Sequence, residues 1–329
     1  YHHLQFSNAG PKTFSSGTTR ISGNLSVTGS ATGDAITASS TIEYNGTSPT
    51  ILGTFSPYYN LHLNNAAGMA TLSPITVNNT VRVIQGTFTS GSDYHHVVID
   101  SGATLSLSAN ITVSGDWTNN GSFSANGFTV TFDGAAGQTI GGTSSTAFAT
   151  LVVNNSGSSG NDVVLLAQNI SDTALQINDG VLDQGASFNL TTGAMTIAAG
   201  ATWKNLGTGD VTLSNTVSNS GAINLNANGA TCGDTDDILI RSSVMGSQRA
   251  WSGGGTFSLI DVDVRDQAGT ALITVRNGTD SGNNFINWTF TPTCLGAGQT
   301  YTWQPVGGST DWQVAANWNP DRLLPNVED

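Results

Sequence analysis

Short stretches in which apolar and polar residues alternate recur along the chain and predict β-strands. Examples are Leu105–Leu107, Ile111–Val113 and Val211–Leu213. A period of two residues places the apolar side chains on one face of an extended strand. Gly, Asn, Asp or Ser bounds each stretch, and stretches of helical period are few. The pattern therefore predicts an all-β fold.

A longer pattern also recurs: an aromatic residue, two spacers, an aliphatic residue, any residue, an apolar residue, and then small or polar residues before a glycine. Its copies begin at Tyr1, Tyr58, Tyr94 and Phe148. The flanks repeat too, because Thr41–Gly46 precedes the second copy as Thr129–Gly134 precedes the fourth. Linked matches of this kind identify a repeat protein.

A further match joins two segments that contain Asn-rich turns. Trp117–Phe123 and Val217–Ile223 share the order apolar residue, polar residue, Asn, polar residue, Gly, small residue, apolar residue. Small residues suit tight corners, and recurrent Asn and hydroxyl residues suit ladders of identical side chains.

Short strands at this spacing are compatible with an antiparallel β-sandwich or with a β-solenoid. The recurrent Asn and hydroxyl positions favour the solenoid, and parallel crossovers are nearly always right-handed. We therefore predict a right-handed parallel β-solenoid (β-helix) with a short C-terminal extension. At about 20 residues per coil and ~4.8 Å between strands, residues 1–290 would form a rod of roughly 65–70 Å. The sandwich remains the alternative.

Composition divides the chain into three predicted parts. Residues 1–229 carry the clear repeats, and residues 230–292, where acids and arginines cluster, are predicted to be atypical terminal coils that cover an open end. Residues 293–329 are predicted to be a linker and the Trp-rich start of a next module or a docking tail. The sequence opens inside a repeat at Tyr1, so we expect a piece of a longer secreted polypeptide.

The charge content narrows the classes of partner. Charged residues make up 9% of the chain and the net charge is −13, which disfavours nucleic acid because phosphates require clustered Lys and Arg. No apolar run approaches the ~20 residues of a membrane span, so none is predicted. Cys232 and Cys294 are predicted to form one disulfide, which would stabilise the fold by roughly 4 kcal/mol. Two separate buried thiols are the alternative.

The C-terminal part carries a resemblance to a known group. Tyr301–Trp303, Gly307–Gly308 and Trp312–Pro320 look like the start of repeats in large bacterial surface proteins. Gly115–Gly121 and the aromatic motif resemble the same group, which comprises secreted β-helix proteins of the autotransporter-passenger or adhesin kind. The resemblance implies an elongated, secreted surface protein. It transfers no catalytic residue.

Histidines and acids are the candidate metal ligands. His2, His3, His95 and His96 follow the aromatic residue of two motif copies, and a metal site would need them to converge with a carboxylate such as Asp93. We expect instead that they decorate an exposed face. Calcium is the one cofactor considered, at Asp234, Asp236 and Asp237 or at Asp261 and Asp263, which strand alternation would place on one face. An acidic, solvated surface is the expectation.

No enzyme is predicted, and no catalytic or cofactor-binding residue is assigned. Acid–base chemistry on sugars would need paired carboxylates, for which Asp236 and Asp237 near Arg241 are the main candidates. Aromatic residues are the other candidates for a sugar site. A glycan platform would use Trp251, Trp288, Trp303, Trp312 and Trp318, whereas packing in the core or between subunits is the expectation.

The predicted function is that of a secreted structural protein, located outside the cell or at its surface, that forms or extends a fibre. Its partners would be further copies or neighbouring modules of a longer chain, and the tail would join them by strand addition. The predicted subunit contacts are Tyr301, Trp303, Trp312 and Trp318. The alternative is an adhesin segment that binds glycans through exposed aromatics.

Overall fold

The computed structural model describes residues 1–46, 51, 56–71, 75–227, 237–291, 302–303 and 318–319. Every regular element in these ranges is a β-strand, and they hold no helix that could span a membrane. The chain forms a β-solenoid of about 13 turns, in which each strand pairs in parallel with a strand of the next turn. The predicted parallel solenoid is confirmed, and the antiparallel sandwich is wrong.

Each full turn places strands in three ladders. Ladder 1 is unbroken from Thr18 to Thr291. Its strands are Thr18–Ile21, Thr41–Tyr44, Tyr58–Asn64, Val77–Ser90, Tyr94–Ile99, Trp117–Asn119, Gln138–Gly141, Val163–Ala167, Val181–Asp183, Thr202–Asn205, Ala222–Asn226, Thr256–Ile260, Ile273–Arg276 and Trp288–Thr291.

Ladder 2 follows ladder 1 within each turn. Its strands are Leu4–Phe6, Leu25–Val27, Met69–Ala70, the last part of Val77–Ser90, Ala103–Leu107, Ser122–Ser124, Thr146–Ala147, Ile170–Ser171, Leu190–Thr192, Val211–Leu213, Ile238–Ser242, Val262–Val264 and Thr279–Asp280. The isolated bridge between Ile51 and Thr71 belongs to the same side of the turn.

Ladder 3 completes the turn and leads back to ladder 1. Its strands are Gly10–Thr13, Ala31–Asp34, Ile111–Val113, Thr129–Phe132, Thr150–Asn154, Ala174–Asp179, Ala194–Ile197, Val217–Asn219, Arg249–Ser252 and Gln267–Gly269. Ladder 3 has no separate strand between Ala31–Asp34 and Ile111–Val113 among the described residues. Its place is taken there by single paired residues, Tyr58, Val77 and Tyr94, whose long strands continue straight into ladder 1.

The core lies inside the three ladders and runs the length of the solenoid, from Phe14 to Trp288. Alternation along each strand decides which side chains enter it. In Ile111–Val113 both apolar residues are buried while Thr112 is only partly so. The largest fully buried side chains include Trp117, Trp203 and Trp251. The core is therefore narrow, continuous and apolar.

The repeats seen in the sequence correspond to stacking, but not to a fixed position in the turn. The flank Thr41–Tyr44 lies directly against the Tyr58 copy, and Thr129–Phe132 lies against the Phe148 copy. The Tyr58 and Tyr94 copies lie in ladder 1, whereas the Phe148 copy lies in ladder 3 and the Tyr1 copy in ladder 2. One local pattern thus serves all three ladders.

Buried asparagines form the corners at which strands end. In each, the side-chain Oδ1 accepts the backbone N–H two residues later at 2.9–3.1 Å, and Nδ2 donates to a backbone carbonyl. These corner asparagines are Asn65, Asn119, Asn155, Asn205 and Asn219. Asn119 ends a ladder 1 strand and Asn219 a ladder 3 strand, so the matching segments around them occupy different ladders.

The ladders continue through residues 237–291, the described part of the predicted terminal coils. The predicted boundaries near residues 229 and 292 lie outside the described residues. Beyond the solenoid, Thr302–Trp303 pairs antiparallel with Trp318–Asn319. The chain therefore changes from parallel to antiparallel pairing in the segment predicted to be a separate unit.

Candidate functional site

Several residues singled out in the sequence lie outside the described part of the chain. These are Cys232, Cys294, Tyr301 and Trp312. The disulfide stays a prediction, and so do all four subunit contacts. Trp303 is partly exposed and its backbone pairs with that of Trp318. This pairing brings the other two predicted contact residues together in one hairpin.

Two of the five tryptophans considered for a glycan platform are core residues. Trp251 is fully buried and Trp288 is 5% exposed, and their rings pack edge to face with centroids 5.2 Å apart. The idea of a platform that includes them is therefore wrong. Alternation along their strands turns both side chains toward the core.

The acidic candidates do not form one carboxylate face. Asp261 occupies a left-handed turn (φ 59°) between two strands and is fully buried, so the expectation that it shares a face with Asp263 is wrong. Asp263 instead accepts from Arg241 Nη2 at 2.6 Å. Asp234 and Asp236 lie outside the described residues. Within the described ranges, no three His, Cys, Asp or Glu side chains converge to hold a metal.

The histidines of the Tyr-His-His segments bind the following turn. The side chains of His95 and Ser114 are joined through Nδ1 and Oγ at 2.9 Å, and His96 Nδ1 accepts the backbone N–H of Asp116 at 2.8 Å. Gly115 lies against the ring of His96 and the backbone carbonyl of His95. We call His95, His96 and Ser114–Asp116 the histidine clasp.

The first Tyr-His-His segment makes a second clasp of the same kind. His3 Nδ1 accepts the backbone N–H of Asn24 at 3.0 Å, and His2 Nδ1 lies 3.5 Å from Ser22 Oγ. His95 and His96 are only partly exposed. The expectation of histidines that merely decorate the surface is therefore wrong for the second segment, because these side chains connect successive turns.

One groove that holds ionisable side chains extends across successive turns of the solenoid and includes His95 and Ser114 of the histidine clasp. Its volume is about 480 Å³. Two outward rows flank the buried Val77 and Tyr94, because strand neighbours of a buried residue point outward. We call this groove the axial groove. Its lining residues are Thr76, Val77, Asn78, Asp93, Tyr94, His95, Thr112, Ser114 and Asp133.

The axial groove is acidic. Two carboxylates, Asp93 and Asp133, line it, and no Lys or Arg does. The backbone N–H of Thr112 donates to Asp93 Oδ1 at 2.8 Å, which fixes that side chain across two turns. Burial lowers the pKa of His95, as does the neighbouring His96, while Asp116 raises it.

Of the two carboxylates in the groove, Asp133 has the less complete set of hydrogen bonds. Its Oδ1 is buried and accepts no hydrogen bond. Burial raises the pKa of Asp133, while hydrogen bonds involving Thr112 and its own backbone lower it. The partly desolvated charge therefore lacks a positive partner among the residues that line the groove.

The sequence contained one signal for this groove, namely the spacing of its polar residues. Asp93 and Thr112 are 19 residues apart, as are His95 and Ser114, which is close to one predicted coil. A second groove of about 370 Å³, which includes Ser144, Asn169 and Phe188, carries no ionisable side chain.

No protein-family model matches this sequence, and no curated protein and no solved structure is significantly similar to it.

Proposed function

We propose that this chain is a structural rod of an extracellular or cell-surface fibre. The observation that carries the proposal is the unbroken run of parallel pairings in ladder 1, from Thr18 to Thr291. About 13 turns at ~4.8 Å between strands give a rod of about 60 Å. Backbone hydrogen bonds, continuous in ladder 1, and an apolar core hold every turn to the next, so the fold supplies length and stiffness.

The surface chemistry supports the same role. Charged residues are 9% of the chain, and several of them are paired between successive turns, as Arg82 is with Asp100 at 2.9 Å and Lys204 with Asp183 at 2.7 Å. Exposed pairs of this kind contribute little to stability. Their pairing offsets part of the like-charge repulsion of a chain whose net charge is −13.

The secreted, bacterial character rests on the resemblance of Tyr301–Trp303 and Trp312–Pro320 to the repeats of β-helix surface proteins. In the proposed fibre, the tail of one subunit docks on a neighbour by adding a strand to an exposed ladder edge. Tyr301, Trp303, Trp312 and Trp318 are its anchors, because large aromatic side chains dominate contacts between subunits.

Electron microscopy of the natural material tests the fibre. We expect filaments whose width matches one solenoid or a bundle of solenoids. Dispersed rods of about 60 Å at all protein concentrations would contradict the fibre, while leaving the solenoid itself intact.

Deletion of residues 300–329 tests the joining step. The truncated protein should keep its β-sheet circular dichroism and lose polymerisation, because the described ladders end at Thr291. A matched variant with Trp303 and Trp318 replaced by Ala should show the same loss. Filaments of normal length from both variants would remove the tail from the mechanism.

The second candidate is an adhesin segment that binds glycans through exposed aromatics. The partial exposure of Trp303 favours it, although Trp251 and Trp288 are unavailable. A glycan array separates the candidates. Binding that is lost in Trp303→Ala and Trp312→Ala would favour the adhesin, whereas an empty array would favour the structural rod.

A further inference from the structure

The axial groove has the shape of a site for a linear ligand. Its polar side chains come from successive turns: Thr76, Asp93 and Thr112 on one side, and Asn78, His95, Ser114 and Asp133 on the other. The pairing of Tyr94 with Val77 and with Val113 sets these two rows in register. Equivalent positions are ~4.8 Å apart along the axis, so a chain laid along the groove meets a new pair of polar groups at each turn.

The charge of the groove selects a cation. Asp93 and Asp133 line it and no Lys or Arg does, and Asp133 is partly desolvated. A partly desolvated carboxylate gains most from a positively charged donor, because charge-assisted hydrogen bonds are shorter and stronger than neutral ones. An anionic ligand would meet two like charges and is excluded.

A metal ion is a poor fit for this cation. Among the described residues no group of three metal-ligating side chains converges, and Asp93 and Asp133 belong to turns that are separated by the turn of Ser114. The charges are spread along the axis rather than focused on a point. An ammonium group needs only one carboxylate and one or two further acceptors, so several can be spaced along the groove.

The remaining lining selects a hydroxylated ligand. Hydroxyl and amide groups that both donate and accept come from Thr76, Asn78, Thr112 and Ser114, and His95 supplies an imidazole. These groups match sugar hydroxyls, which also donate and accept. The larger apolar side chains, Val77 and Tyr94, are buried between the two polar rows.

We propose that the axial groove binds an oligosaccharide of amino sugars, with ammonium groups at Asp93 and Asp133 and hydroxyl groups along the two polar rows. This site is independent of fibre formation. The rod would thereby hold a cationic polysaccharide parallel to its own axis.

Isothermal titration with a glucosamine tetramer, at low salt and about pH 5.5 where the amines are largely protonated, tests the site. The wild-type protein should bind, and Asp93→Asn and Asp133→Asn should each weaken binding about tenfold, which corresponds to ~1.4 kcal/mol. Asp210→Asn is the matched control, because Asp210 also accepts a backbone N–H of the following turn at 3.2 Å but lies outside the groove. It should bind like the wild type.

Thr76→Arg adds a positive charge at the exposed rim without altering either carboxylate, so it tests the groove even where an Asp variant folds poorly. It should also weaken binding at least tenfold. Unchanged affinity in Thr76→Arg and in both Asp variants would overturn the site.

Two further ligands test its chemistry. Equal affinity for the fully N-acetylated tetramer would overturn the role of the ammonium groups. Equal affinity for spermidine would overturn the assignment to a sugar, because the hydroxyl groups would then contribute nothing. Weaker binding of both ligands than of the glucosamine tetramer is the expected result.

Discussion

Asn205 shows how a single side chain makes a corner of this fold. It is fully buried; its Oδ1 accepts the N–H of Gly207 at 3.0 Å and its Nδ2 donates to the carbonyl of Gly209 at 2.8 Å. A strand that ends inside a coil leaves backbone groups without ladder partners, and such groups are costly when buried. The amide side chain supplies both missing partners at once.

Asn205→Ala should therefore destabilise the protein by about 1–3 kcal/mol, because it leaves the partly buried N–H of Gly207 unpaired. It also removes one of the two side-chain donors to the Gly209 carbonyl, which keeps Gln184 Nε2 at 3.0 Å. Urea denaturation measures the change. Asn161→Ala is the control, since Asn161 is exposed and donates only to Ser158 Oγ, and it should cost less than ~0.5 kcal/mol. Equal costs for the two variants would contradict the corner role.

Asp172 gives the fold a pH dependence. Burial raises its pKa to about 6, although hydrogen bonds from Thr192 and Gly193 lower it. Since the ordinary value is 3.8, the folded protein retains a proton that the unfolded chain releases between these values. The free energy of unfolding therefore falls as the pH rises from about 4 to about 6, and it stays lower above that range.

Asp172→Asn should remove this loss. We expect the variant to be more stable than the wild type by about 1–3 kcal/mol at pH 8 and equally stable at pH 4, because a two-unit shift corresponds to ~3 kcal/mol at most. Urea denaturation at both pH values is the measurement. A stabilisation of the same size at pH 4 would show that titration of Asp172 is not its cause.

At the scale of elements, alternation predicted the strands themselves. Ile111–Val113 and Val211–Leu213 are strands, with their apolar residues buried. The ladder to which a strand belongs was not predictable, because the same strand and corner pattern serves ladder 1 at Trp117–Asn119 and ladder 3 at Val217–Asn219. Local sequence determines a strand and its corner, whereas the position in the turn depends on the number of units before it.

The full lining of the axial groove could not be predicted from the sequence for a related reason. Asp93 and His95 were noticed as candidate ligands, but their partners Ser114 and Asp133 come from later turns and carry no motif. Only the pairing of Tyr94 with Val113 places them side by side. The burial of Asp261 was missed too, because its left-handed backbone interrupts the alternation on which the expectation depended.

The histidine clasp makes a prediction about packing between turns. In Gly115→Ala the new Cβ would lie 2.6 Å from His96 Nδ1 and 2.8 Å from the carbonyl oxygen of His95. We expect a destabilisation of about 1–3 kcal/mol in thermal or urea denaturation, as is usual for overpacking. Gly137→Ala is the control, since its nearest neighbour would be 4.0 Å away, and a loss there as large as at Gly115 would contradict the prediction.

At the scale of the whole molecule, each turn contacts mainly its neighbours. Stability is then close to a sum of turns and of the interfaces between them, as in other solenoid proteins. Local damage should remain local. Order is transmitted along the axis mainly by the ladders, because each pairing in them joins one turn to the next.

Thr196→Pro tests this property. Thr196 is exposed, so the core is unchanged, but proline removes a ladder N–H in the middle of the rod, at a cost of about 3 kcal/mol or more. Hydrogen exchange should show lost protection in the adjoining strands Ala174–Asp179 and Val217–Asn219, and unchanged protection in Tyr94–Ile99. Thr196→Ala should alter neither region. Uniform loss along the rod would show that the molecule unfolds as one unit.

The sharing of one strand and corner pattern among the three ladders has a consequence for how such a chain changes length. A loop that grows between ladders leaves the register intact, as between the paired strands Ala222–Asn226 and Thr256–Ile260. Gain or loss of a single strand with its corner is different, because every later strand moves to the next ladder. All turns that follow the change are then rotated by about a third of a revolution around the solenoid axis. Their binding surfaces consequently face a different side of the rod.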